Sequence, residues 1–184
     1  MKTINNALLT GIICAVCSTT AFANGQHSVY GHTGISTFSK DGHSQSGLYF
    51  QGGYNYYLTP FFALDLNYTR ANSLNVNLAQ NSPDFSAEAD GFGAGVKLEH
   101  YAGPVSMHAR GGVSSLRIKT EFWDTASFDF KEESDTVTSP YFEVGVGMIS
   151  PWDKNLNVSV TYNKQTADDV WDISTFTISG AYLF

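Results

Sequence analysis

Leu48-Tyr49-Phe50-Gln51-Gly52-Gly53-Tyr54-Asn55-Tyr56-Tyr57-Leu58-Thr59-Pro60-Phe61-Phe62-Ala63-Leu64-Asp65-Leu66-Asn67-Tyr68 carries a period of two. Leu48, Phe50, Gly52, Tyr54, Tyr56 and Leu58 alternate with Tyr49, Gln51, Gly53, Asn55 and Tyr57, and beyond the proline Phe62, Leu64, Leu66 and Tyr68 alternate with Ala63, Asp65, Asn67 and Thr69. Successive residues of a strand point to opposite faces, so this is the signature of two strands, each apolar on one side. Thr59-Pro60 is the tight turn between them.

The pattern continues along the chain. Phe92, Ala94, Val96 and Leu98 alternate with Gly91, Gly93, Gly95, Lys97 and Glu99, a turn falls at Ala102-Gly103-Pro104, and Val105, Met107, Ala109, Gly111 and Val113 resume against Ser106, His108, Arg110 and Gly112. Phe142, Val144, Val146 and Met148 oppose Tyr141, Glu143, Gly145 and Gly147, the chain reverses near Ser150-Pro151-Trp152-Asp153, and Leu156, Val158, Val160 and Tyr162 oppose Asn157, Ser159, Thr161 and Asn163. Phe176, Ile178, Gly180, Tyr182 and Phe184 form a last strand, and an eighth lies near Val29 to Phe38, where Gly31 and Gly34 blur the apolar face. Strands of about 10 residues suit a tilted crossing of a bilayer. Short turns alternate with longer connections at Lys40 to Gln45, Ala71 to Ala87, Arg117 to Val137 and Lys164 to Ser174, as periplasmic turns and external loops do.

The N-terminus predicts export. Lys2 precedes an apolar run through Leu8, Leu9, Ile12, Ile13 and Val16, and Ala21-Phe22-Ala23 offers an A-x-A-type cleavage site before Asn24. Residues 1–23 are therefore expected to be a cleaved signal peptide and 24–184 the folded domain. Cleavage removes Cys14 and Cys17 and leaves no disulfide framework. It also changes the formal net charge from -7 to -8, with 9 basic against 17 acidic residues. That balance argues against nucleic acid as a partner.

No later stretch approaches the 18 or so apolar residues of a membrane helix. A membrane is met by strands or not at all. A soluble lipocalin-type barrel or β-sandwich also alternates, but its apolar face turns inward. Here the face opposite the apolar one carries Asp65, Lys97, Glu99, Arg110 and Glu143 among Gly, Ser, Thr and Asn, which suits a polar lumen inside a lipid-facing exterior. The expected fold is an all-β, eight-stranded antiparallel transmembrane barrel.

The hairpin from Gly52 to Tyr68 resembles those of the small outer-membrane barrels typified by the OmpA transmembrane domain and OmpX. The closing strand looks like that family's assembly signal, with Phe176, Ile178, Tyr182 and Phe184 in the positions read by the barrel-insertion machinery. The resemblance implies a Gram-negative outer-membrane location and specifies a fold and an address more than an activity. It also implies contact with outer-membrane lipid and lipopolysaccharide, and a monomer.

Asp65, Lys97, Glu99, Arg110 and Glu143 are expected to form a charge network in the lumen, since an unpaired charge there is costly. Their roles could be a structural plug, a small gated pore or catalysis. Some barrels of this kind modify lipid A, and deacylases pair a His with a Ser two residues later on a late strand. Val160-Thr161-Tyr162-Asn163-Lys164-Gln165 contains no such pair, and His27, His32, His43, His100 and His108 all fall earlier. No catalytic residue, cofactor or metal site is expected. Asp168, Asp169 and Asp172 could offer oxygen ligands to calcium, at a spacing unlike an EF-hand. Phe122, Trp123, Phe128 and Phe130 sit among acids in the longest loop and either contact a partner or extend the hairpin. Two aromatic belts are expected, with Tyr57, Phe61, Phe62, Tyr101, Trp152 and Phe184 near the short turns and Tyr68, Tyr162, Trp171 and Phe176 near the long loops. The leading functional expectation is a non-enzymatic barrel that stabilises the envelope or engages a surface or host partner through its acidic loops, in adhesion. A lipid A-modifying enzyme and a small pore are the alternatives.

Overall fold

The computed structural model describes residues 26–40, 43–73, 85–124, 129–167 and 171–184. They form eight strands: β1 (Gln26–Lys40), β2 (His43–Thr59), β3 (Phe62–Ser73), β4 (Phe85–Ala102), β5 (Val105–Asp124), β6 (Asp129–Ile149), β7 (Leu156–Ala167) and β8 (Trp171–Leu183). Each pairs antiparallel with its sequence neighbour, and β1 pairs with β8 to close the barrel. At the seam the register runs from Ser28 opposite Leu183 to Ser39 opposite Asp172, and His27 and Phe184 exchange both backbone hydrogen bonds, at 2.9 and 2.7 Å. Within the closed ring no strand edge is left unpaired, the condition for a sheet to lie in hydrocarbon, and beyond it Asp129 to Pro140 of β6 pairs with β5 alone. The signal-peptide residues, including Ala21, Ala23 and Asn24, lie outside the described residues.

Alternation fixes which side of each strand meets lipid. Leu66, Phe92, Val113, Val146, Val160, Phe176 and Ile178 point outward and are exposed, while their sequence neighbours face the interior and are buried, apart from the half-buried Gly112, Gly145 and Gly147. The first strand resolves the same way: Val29 and Ile35 face out, and Tyr30, His32, Ser36 and Phe38 face in.

Two sequence expectations are corrected. Strands run 12 to 21 residues rather than about 10, because segments read as loops are paired. Arg117 through Asp124 pairs with Asp129 through Thr136, and Phe85 through Asp90 pairs with Arg117 through Phe122. Secondly, Tyr57 is not part of the belt. It shares a face with Asn55, is 8% exposed, and points into the interior. Phe61, Tyr101, Trp152 and Phe184 do lie exposed near the short turns, and Tyr68 and Phe176 near the other end.

The interior is not uniformly polar. Toward the long-connection end, Phe38, Tyr49, Ala71, Ala87, Ala89, Leu116, Ile118, Ala167 and Ile173 form a buried apolar cluster, with Val137 packed against it. Charged and amide side chains fill the remainder toward the short turns.

Candidate functional site

Arg110 organises the polar interior. It sits on β5 directly opposite Lys97 of β4 on one side and Glu143 of β6 on the other, so three charged side chains face inward at one level. Its Nη1 lies 3.2 Å from Glu143 Oε1 and its Nε 3.4 Å from Asp65 Oδ1 on β3. The guanidinium carbon stands 4.0 Å from the centre of the Tyr30 ring, an arrangement in which the cation meets the negative face of the ring.

Asp65 is saturated with donors. Tyr30 donates to Oδ1 at 2.7 Å, while Asn67 Nδ2 and the Tyr141 hydroxyl donate to Oδ2 at 2.7 and 2.9 Å. Glu143 faces Arg110, His108 Nε2 at 3.4 Å and His32 Nδ1 at 3.8 Å, with Asn163 donating at 3.5 Å. Three strands besides its own therefore supply groups to this one carboxylate.

A second group lies nearer the short turns. Lys97 and Glu99, two residues apart on one face of β4, pair at 3.0 Å. Lys97 also donates to the Tyr57 hydroxyl at 3.0 Å, and that hydroxyl donates to Glu99. These residues line a cavity of about 230 Å³ at the short-turn mouth, together with Tyr101, Lys154 and Asn157.

The five charged residues expected in the lumen are thus all buried there, in two ion-paired groups. Sequence reading missed Tyr30, His32, Tyr57 and Tyr141 as their partners. A strict parity count from Asn55 and Glu143 places Tyr57 and Tyr141 on the inner face, whereas Tyr30 and His32 were hidden by the glycines of β1.

Chemically, the arrangement is one of charge pairing: Arg110 Nε and Nη1, His108 Nε2 and Glu143 Oε1 are buried within ion-pair distance of opposite charges but without hydrogen-bond geometry. The nearest approach to a catalytic set is His32, whose Nδ1 is 3.3 Å from both Thr161 Oγ1 and Thr177 Oγ1. That same nitrogen faces Glu143. In a working relay the two ring nitrogens divide the tasks, one holding the acid and the other the nucleophile. Among the described residues no group of three His, Cys, Asp or Glu side chains could hold a metal. His100 faces outward and His27 contacts Tyr54, Tyr56 and Phe184 near the short turns. Asp168, Asp169 and Phe128 lie outside the described residues.

A closed antiparallel barrel, apolar outside and ion-paired within, defines a transmembrane barrel of the outer-membrane type. The chain belongs to the family described as the outer membrane protein beta-barrel domain, which matches residues 9–184. Membership implies location in the outer membrane. The fold is similar to that of Neisserial surface protein A, with 15% identity over 88% of this chain and 100% of that one at a TM-score of 0.65. It is also similar to Ail, the attachment invasion locus protein of Yersinia pestis (17% identity, 88% and 99% covered, TM-score 0.60). A third similar barrel is the N-terminal domain of Pseudomonas aeruginosa OprF (11% identity, 88% and 100% covered, TM-score 0.55). At these identities the likeness is one of fold. Comparison with curated proteins yields no match.

Proposed function

We propose that this protein is a non-enzymatic barrel whose sealed interior is a rigid plug and whose β5–β6 hairpin is a surface attachment element. One observation carries the reading: Phe38, Tyr49, Leu116 and Ile173, each no more than 1% exposed, close the interior above the ion-paired layer. A substrate or ion path needs space or a hydrated route. An eight-stranded barrel has an interior just wide enough for side chains, and here they interlock by charge below and by apolar packing above. Asp65, Lys97, Glu99, Arg110 and Glu143 serve in this reading to hold four strands in register.

The hairpin rises beyond the membrane. Ser115 and Thr138 stand beside the outer aromatic level, on the register that joins Tyr68, Phe92 and Ser115. Pairing then continues to Asp124 opposite Asp129, about 30 Å further along the strand at 3.3–3.4 Å per residue. The sequence of these paired strands includes Phe122, Trp123 and Phe130, a composition suited to partner contact. Ail, a barrel of this fold, is described as an attachment invasion locus protein. Phe176, Ile178, Tyr182 and Phe184, all exposed on the lipid-facing side, are in this reading the segment recognised during assembly.

The test compares adhesion of cells displaying the full barrel with cells displaying a variant in which residues 117–137 are replaced by a tight turn. Adhesion should fall to background with the shortened hairpin while lipid A mass spectra stay the same with and without the protein. Undiminished adhesion, or altered lipid A acyl chains, would overturn the reading. Steady conductance across a planar bilayer would instead favour the pore.

A further inference from the structure

Beyond the closed ring, one strand edge stays open. β5 and β6 keep a single register throughout, from Val105 opposite Met148 to Asp124 opposite Asp129. β7 leaves β6 earlier: their outermost pair is Tyr141 opposite Gln165, and Thr166 and Ala167 pair with β8 alone. Among the described residues, Asp129 to Pro140 of β6 therefore has a neighbouring strand on one side only.

Parity decides which backbone groups face the open side. In an antiparallel pair the N–H and C=O of one residue point to the same neighbour, and those of the next residue point to the other. Ile149 donates to the Pro104 carbonyl on the β5 side, and Ser150 to the Leu156 carbonyl on the β7 side. Odd-numbered residues of β6 thus face β5, and even-numbered ones face away from it. Pro140 is one of the even-numbered residues. It has no N–H to give β7, and it stands one residue beyond Tyr141, where the two strands part. Further out, Phe130, Glu132, Ser134, Thr136 and Thr138 turn both backbone groups to the open side, and Ser134, Thr136 and Thr138 are exposed.

We infer that this edge takes up an extended, basic segment of a partner protein as an added strand. The inference rests on the reading of the β5–β6 hairpin as an attachment element and names its mode of contact. Strand addition satisfies main-chain groups whatever the partner's sequence, so selection must come from side chains. Here charge supplies it. From Asp129 to Thr138 the chain carries Asp129, Glu132, Glu133 and Asp135 against Lys131, four acids and one base, a net charge of -3. A second copy of this strand would bring acids beside acids, which is destabilising across a strand pair. A segment with lysine or arginine at alternate positions brings the opposite sign. Roughly ten residues of partner, at about 3.3–3.4 Å each, span the edge.

The experiment uses the full barrel in phosphatidylcholine nanodiscs, whose neutral surface does not compete for a basic probe. The probe is a decapeptide of alternating lysine and valine, and its control is a decapeptide of alternating lysine and proline, equal in charge but unable to form a ladder. Amide hydrogen exchange is followed residue by residue. The lysine-valine peptide should slow exchange at Ser134, Thr136 and Thr138 and leave Asp135 and Val137, whose amides face β5, as they were; the control should slow none of them. Thr136→Pro removes one edge N–H, at the parity where Pro140 already stands, and should weaken probe binding about tenfold. Continued protection of Asp135 and Val137 verifies that the β5–β6 pairing survives the substitution. Neutralising Glu132→Gln, Glu133→Gln and Asp135→Asn together should weaken binding about fivefold, as loss of several exposed charge pairs does. Equal effects of the two peptides, or undiminished binding in the folded Thr136→Pro variant, would overturn the inference. Protection of the same amides that grows with protein concentration in the absence of peptide would make the occupant a second copy and overturn it too. Adhesion is not the readout, so an attachment role that fails on cells leaves this edge standing, and an edge that binds no strand leaves attachment by other contacts.

Discussion

The Arg110 guanidinium stacks on the Tyr30 ring at 4.0 Å while Tyr30 itself donates to Asp65, one of the two carboxylates that Arg110 pairs with. Cation, ring and acid form a closed triangle across β1, β3 and β5. Removing the cation alone leaves Asp65 and Glu143 without the Arg110 counter-charge in a buried interior. Arg110→Met should therefore cost about 3–5 kcal/mol, the usual penalty for breaking one side of a buried pair. Urea titration of the barrel refolded in detergent measures it. Combining Arg110→Met with Asp65→Asn and Glu143→Gln should recover much of the loss, because no unpaired charge remains.

Tyr30 can occupy that position because Gly53 lies beneath it. A Cβ on Gly53 would fall 2.3 Å from the Tyr30 ring carbon and hydroxyl and 2.7 Å from the Leu66 carbonyl oxygen. Gly53→Ala should displace the ring from Arg110 and destabilise the barrel by about 1–3 kcal/mol, as overpacking does. The neighbouring Gly52 faces outward, where a Cβ meets nothing nearer than 3.9 Å. Gly52→Ala should leave the urea midpoint essentially unchanged, which makes the pair a test of which face each glycine serves.

The apolar cluster above the charges predicts a different kind of loss. Leu116 and Ile173 are almost fully buried, and truncating either leaves a void among rigid strands. Leu116→Ala or Ile173→Ala should each cost about 2–5 kcal/mol, read from the same titration. Lys164→Ala, exposed on the outer face, should cost far less.

That cluster was the part of the fold least legible in the sequence. Strand identity, the three short turns and the inward charges all follow from alternation, because within the membrane one face meets lipid and the other does not. Above the membrane both outer and loop surfaces meet water, and the signal fades. Arg117 to Val137 reads as an acidic loop even though its residues pair from Arg117 opposite Thr136 to Asp124 opposite Asp129. Leu116 and Ile118 face inward there, but flanked by Arg117 and Lys119 they do not announce a core. Tyr57 was misplaced for the opposite reason: the consecutive tyrosines Tyr56 and Tyr57 both look like belt residues, and only parity separates the lipid-facing one from the partner of Glu99. In β1, glycine at positions 31 and 34 removes one outward and one inward side chain, and with them the contrast that would have turned His32 toward Glu143.

The height of the barrel in the bilayer yields the last prediction. Exposed aromatics mark two levels, Tyr68, Phe92 and Phe176 toward the long connections and Phe61, Trp152 and Phe184 toward the short turns. On β6 the span between these levels is centred near Val146, which faces lipid at 58% exposure and lies opposite Met107 of β5 and Val160 of β7. An arginine there must hold its charge in hydrocarbon far from either headgroup layer. Val146→Arg should therefore destabilise the barrel by about 2–4 kcal/mol in phospholipid vesicles, and Trp152→Arg, at the inner interface, by about 0–1 kcal/mol. If the two substitutions cost the same, the aromatic levels do not mark the membrane boundaries. If Val146→Arg costs more, the hydrocarbon lies between the two girdles.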